Sequence, residues 1–184
     1  MTLKSLFLIL NLWRPVVAVT EQEVFKQAFD NLADLEKGYS DHPTDRGGKT
    51  RYGISSVWHP EIDIDHLAPA ETEKTYFDEY WRRPGINKLI SKPRVASKVF
   101  EMGVVAGQNR AIMLLQRALR SCTGKKLTED GVLGPETESA FLSANEECLL
   151  VGLRSEMAGY FRSIVERDKS QQVFREGWLN RAYS

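Results

Sequence analysis

The sequence predicts a mainly α domain with one small β element, and three observations carry that prediction. Apolar residues recur at helical spacing along most of the chain. Gly, Asp, Ser and Thr concentrate in a single stretch, residues 39–57, which carries Tyr52, Ile54 and Val57. Proline and glycine stand at Pro84-Gly85, Pro93, Gly124 and Pro135, where helices would stop or start.

The chain of 184 residues suffices for one compact domain or two small units sharing a core. Its 42% hydrophobic and 27% charged residues are ordinary for a globular protein. Basic and acidic side chains balance at 25 each, which argues against nucleic acid as a partner, since that needs a basic excess. Residues 1–19 stand apart: Lys4 precedes Leu6 to Leu10, and Val16 to Ala18 resembles a cleavage site, but Arg14 interrupts the apolar run. They read as a secretory signal or weak anchor, or as a hydrophobic N-terminal extension. The run is too short for a stable membrane span, which takes roughly 20 apolar residues. Cys122 and Cys148 could pair if exported and would stay reduced in a cytosol. The plainer expectation is one buried and one partly exposed thiol.

Thr20 with Glu23 forms a capping box, so a helix starts there. Val24, Phe25, Ala28, Phe29, Leu32 and Leu35 make one face apolar, and Gly38 supplies the stop. Residues 39–57 read as a loop with a short β-hairpin turning at Arg46-Gly47-Gly48. A helix over 70–82 would pair Tyr76 with Tyr80 and Phe77 with Trp81, and Trp81 reads as core. Further helices follow Pro93, begin near Asn109, open at Pro135, run from about Glu146 to Asp168, and close the chain near Phe174 to Tyr183.

Glu36 falls on the apolar stripe, four residues after Leu32, where desolvation would raise its pKa as a general acid requires. Asp45 follows in a glycine-rich turn that can fold back over it, and Thr50 comes five residues later. One acid to protonate a leaving oxygen and one carboxylate on the opposite face are the parts a glycosidase needs. Tyr39, Tyr52, Trp58 and Trp81 offer flat faces for sugar binding, with Tyr52 the best cleft candidate and Trp81 better read as core. His42, His59 and His66 lack ligand spacing and read as loop or surface residues, so no metal and no cofactor are expected.

Glu36-Lys37-Gly38-Tyr39-Ser40 and Asp45-Arg46-Gly47-Gly48-Lys49-Thr50-Arg51-Tyr52-Gly53-Ile54 resemble the N-terminal motif of glycoside hydrolase family 108. The resemblance continues through Tyr80 to Pro84, Val99 to Glu101, Leu115 to Leu119 and Gly177 to Arg181. It implies a lysozyme-like helical fold with the small β-hairpin at the active site. Residues 20–107 would form the catalytic region and 108–184 a peptidoglycan-binding-like helical region. The implied activity is that of an N-acetylmuramidase acting on peptidoglycan glycan strands, as a monomer, in the periplasm or secreted. It places the catalytic acid on Glu36 and the loop aspartate on Asp45. Spacing to Thr50 is similar to the Glu-Asp-Thr triad of phage T4-type lysozymes, one residue shorter. Lys37 replaces the family's first glycine after the acid, Val105 its asparagine, and Glu101 an aspartate. Those departures keep a silent peptidoglycan-binding or secretion-assisting protein in view as the alternative, beside a lytic transglycosylase. Asp130-Gly131-Val132-Leu133-Gly134-Pro135-Glu136-Thr137 resembles the associated peptidoglycan-binding module.

Overall fold

The computed structural model describes residues 19–35, 39–40, 49–51, 54–57 and 59–184, with the backbone alone at 33–35, 39–40, 50 and 55. The N-terminal segment 1–18, the stop at Gly38, the turn at 46–48, Trp58 and His42 lie outside the described residues. The architecture is mainly helical. Helix α1 spans Glu21–Leu35, α2 Pro69–Thr75, α3 Pro93–Ala106, α4 Gln108–Thr123, α5 Pro135–Ser143, α6 Glu146–Arg167 and α7 Arg175–Tyr183. Among the described residues, three two-residue strands, β1 (Tyr39–Ser40), β2 (Thr50–Arg51) and β3 (Ile54–Ser55), pair antiparallel in that order.

The capping box forms as the sequence requires. The Thr20 amide and hydroxyl donate to the Glu23 carboxylate at 2.8 and 2.9 Å, and the Glu23 amide donates back at 3.3 Å. Val24, Phe25, Ala28 and Leu32 of α1 are buried. The apolar stripe of α3 is buried at Val95, Ala96, Val99, Phe100 and Gly103.

The expected helix over 70–82 changes character halfway. After α2 the chain runs as a π-helix, Tyr76–Arg82, and the Arg83 amide donates to the Asp78 carbonyl five residues back, at 3.0 Å. A wider turn alters which side chains align. Trp81 packs edge-on against Phe25 (5.6 Å) and Phe100 (5.7 Å), while Tyr76 and Tyr80 meet at 5.0 Å. Trp81 is fully buried, so α1, the π-helix and α3 share one aromatic centre. Arg82 ties the π-helix to the start of α1 with two bonds to Glu21, at 3.0 and 3.1 Å.

One hydrophobic cluster extends from Val24 to Ala182, so residues before and after Gly107 share a core. Helix α4 lies against both α3 and α6. At Gly152 of α6 an added Cβ would come within 3.2 Å of Ala118 on α4, so a small residue allows the close approach. Buried Lys98 of α3 donates to Glu101 (2.7 Å), the Arg181 carbonyl (2.9 Å) and the Ser184 hydroxyl (3.3 Å), which holds the chain's last helix to α3.

The expectation of two separate thiols is overturned. Cys122 at the end of α4 and Cys148 at the start of α6 form a disulfide, with Sγ–Sγ 2.08 Å and Cα–Cα 5.9 Å. The two helices pack together, which brings the thiols into range although 26 residues separate them in sequence. Closing a loop of that length restricts the unfolded chain by about 3.5 kcal/mol in the chain-entropy picture. Replacing both cysteines with serine should therefore lower stability by about 2–4 kcal/mol, read as a lower denaturation midpoint with an unchanged far-UV spectrum. A midpoint that did not move would mean the bridge does not form.

Candidate active site

Helix α1 and the small sheet bracket the sequence that holds the expected catalytic acids. Glu36, Asp45 and Tyr52 lie outside the described residues. Thr50 and Tyr39 are present as backbone: Tyr39 pairs with Arg51 and Ser40 with Thr50, and Thr50 and Arg51 pair with Ser55 and Ile54. Thr50 thus sits on the central strand.

That strand is held from both sides of Thr50. The Lys49 ammonium donates to the Asp65 carboxylate at 2.6 Å, and the Arg51 guanidinium donates to the Asp65 carbonyl. Asp65 belongs to a 3₁₀ turn, Ile64–His66, capped by Asp63, whose carboxylate accepts from the Asp65 amide at 3.2 Å. Beneath, Ile54 is fully buried and Ile64 and Leu67 nearly so. The Asp63 carboxyl is held below its ordinary pKa, chiefly by its bond to His66.

His59 lies in a loop, one of the two roles expected of it, but not at the surface. It is buried, with Nδ1 3.2 Å from Glu61 and Nε2 2.9 Å from the Tyr80 hydroxyl. The Tyr80 phenol has a raised pKa, first from burial and then from Glu79. No sequence signal distinguished this histidine, because its partner Tyr80 is 21 residues away.

A cavity of about 440 Å³ runs between α1, α3 and α6, lined by Asn31, Ser97, Lys98, Glu101 and Arg154 among others. Lys98 is engaged with Glu101 and the chain end, and Arg154 donates to the Ser184 carbonyl at 2.6 Å. Among the described residues, Glu101 Oε1 and Arg154 Nε of this lining are buried without a hydrogen-bond partner. Val105, the position of the missing asparagine, packs against the core.

The aspartate–glycine segment after α4 is organised from within. Buried Gln116 donates to Asp130 (2.7 Å), the Val132 carbonyl (3.1 Å) and Thr137 (3.2 Å), and accepts from the Gly131 amide (3.0 Å). Gly131 has φ 73°, and a Cβ there would meet Asn109 at 2.1 Å, so glycine is required twice over.

These elements correspond to known families along most of the chain. Residues 29–107 match the model of glycosyl hydrolase 108, and residues 110–183 match that of a predicted peptidoglycan domain. The first half of the chain is thus similar to the glycosyl hydrolase 108 family. A solved structure, entitled "Structure of Brucella abortus SagA", superposes with a TM-score of 0.72 at 22% identity, over 88% of this chain and 90% of that one. That likeness establishes the shared fold. No curated protein matches the chain.

Two predictions follow from these bonds. Asp65→Ala should release β2, so amide exchange at Ser56, which donates to the Lys49 carbonyl at 2.9 Å, should speed up. The thermal midpoint should barely move, because a half-exposed ion pair contributes about 0–1 kcal/mol. Unchanged exchange would show that Asp65 does not hold the strand.

The second prediction concerns acid. Asp130 is held below its ordinary pKa chiefly by Gln116, and Glu129 chiefly by Arg117. A carboxyl whose pKa is depressed in the folded state contributes fully above its unfolded value, about 3.9 for Asp and 4.3 for Glu. The contribution is lost as pH falls through the lower folded value. Thermal midpoints measured from about pH 5 down to pH 2 should fall less steeply for Asp130→Asn than for the parent. Parallel curves would exclude Asp130 from this acid sensitivity.

Proposed function

We propose that the chain is a peptidoglycan hydrolase, an N-acetylmuramidase cleaving the β-1,4 bond between N-acetylmuramic acid and N-acetylglucosamine. The observation that carries this reading is the glycosyl hydrolase 108 match, because residues 29–107 include Glu36, Asp45 and Thr50. The predicted peptidoglycan domain over 110–183 supports the same polymer as substrate.

Glu36 follows directly on α1 in the sequence, and its spacing from Leu32 puts it in register with that helix's apolar stripe, where desolvation would favour the neutral acid. In the proposed reaction Glu36 gives its proton to the glycosidic oxygen as the bond from that oxygen to the sugar's anomeric carbon breaks. Asp45 takes a proton from the water that adds to that carbon, and its charge supports the oxocarbenium-like transition state. Thr50, on the strand held by Lys49 and Arg51, helps place the water, and Tyr39 and Tyr52 supply sugar contacts. No cofactor enters this scheme, and the chain works as a monomer.

The disulfide supports an oxidising compartment, periplasmic or extracellular, with which a signal or anchor reading of residues 1–19 agrees, beside the reading as a hydrophobic extension. A second reading, a silent wall-binding protein, draws on Lys37 and on Val105 packed against the core. A lytic transglycosylase would use the same acid without adding water.

Muropeptide mass spectrometry separates all three readings. The hydrolase yields reducing ends one water heavier than the anhydro sugars of a transglycosylase, and the silent protein yields no products. Glu36→Gln should lower turnover by about 10²–10⁴-fold while wall binding persists. Asp45→Asn should reduce rate more than wall affinity, because its charge matters chiefly in the transition state. Clearing of cell wall by Glu36→Gln at the parent rate would remove Glu36 from the mechanism.

A further inference from the structure

The last turns of the chain carry a ladder of three aromatic rings that runs from the core to the surface. Phe161 of α6 is 2% exposed and stacks on Trp178 of α7, with centroids 5.3 Å apart and planes 19° apart. Trp178 in turn faces Phe174 at 5.6 Å and 31°. Phe174 ends the ladder and is 53% exposed.

A single exposed apolar side chain carries no information. This ring differs in being backed by two others, the innermost of which is core. Next to it Val173 is 78% exposed, and a Cβ at Gly177, three residues on, would stand in open space. The ring is therefore flanked by a low shelf. Around it Gln172, Arg175 and Glu176 are exposed polar neighbours of both charge signs. The unit is also anchored: Ala182 is fully buried, Arg162 donates to the Tyr183 hydroxyl at 2.9 Å, and Lys98 of α3 grips the Arg181 carbonyl.

We infer that Phe174, backed by Trp178, is a stacking platform for one pyranose ring of a glycan strand, outside the cleavage site. The C–H face of a pyranose matches an aromatic face in size and polarity, and its rim hydroxyls match amide and charged neighbours. A protein partner would need about 800 Å² per side, far more than one ring and a valine supply. An anionic membrane surface would need a basic cluster, and the neighbouring charges include both Arg175 and Glu176. The inference rests on the reading that the chain acts on peptidoglycan. Residues 110–183 of the peptidoglycan-domain match contain all three rings. A glycan held here stays at a fixed distance from α3, which raises its local concentration at a second binding site on the same molecule.

The test uses the full chain carrying Glu36→Gln, so that the wall is not consumed, in co-sedimentation with purified sacculi. Phe174→Ala should weaken binding about tenfold, and Phe174→Tyr should keep it within about twofold, with thermal midpoints unchanged. Soluble N-acetylglucosamine oligomers should shift the backbone NMR signals of Phe174, Gly177 and Trp178. Parent-like binding by Phe174→Ala would overturn the platform and leave the peptidoglycan reading standing. Failure of the parent to sediment with sacculi would overturn both. A parent dimer in sedimentation velocity that Phe174→Ala dissolves would make the patch a self-contact and overturn the platform.

Discussion

The aromatic contact among Phe25, Trp81 and Phe100 is the constraint on which the rest of the first half depends. It joins α1, the π-helix and α3 at one point, and Trp81 and Phe100 have almost no surface left to water. Removing one such ring from a core costs about 3–5 kcal/mol, a large share of the stability of any domain this size. The two Arg82–Glu21 bonds act on the same pair of elements from the surface. Together they set the direction of α1, whose end leads into the segment that holds Glu36.

The second half is organised by polar groups as much as by packing. Gln116 uses its amide nitrogen and oxygen on three partners in the loop between α4 and α5 and on Thr137 of α5. An amide so fully satisfied has nothing left for a ligand, so Gln116 serves to shape this aspartate–glycine segment.

A bond remote in sequence joins the halves: Lys98 reaches from α3 to the Arg181 carbonyl of the final helix, while the Cys122–Cys148 bridge closes α4 onto α6 within the second half. Residues on both sides of Gly107 share one core.

Helix starts and stops were legible in the chain because their signals are local: the Thr20–Glu23 box, Pro93 and Pro135 at first turns, and Gly124 with φ 69° after α4. The buried stripes of α1 and α3 followed from helical spacing, and Glu36, Asp45 and Thr50 were singled out by chemistry and order along the chain. Only the tertiary structure decided how such pieces meet. The π-helix carries Trp81, whose contacts with Phe25 and Phe100 join residues far apart in sequence. His59 became buried because Tyr80 comes to it from the π-helix, and the two cysteines paired because α4 and α6 pack side by side. Sequence alone determined the elements and the candidate acids, since those depend on neighbours along the chain. Folding determined which distant groups share a bond, since that depends on neighbours in space.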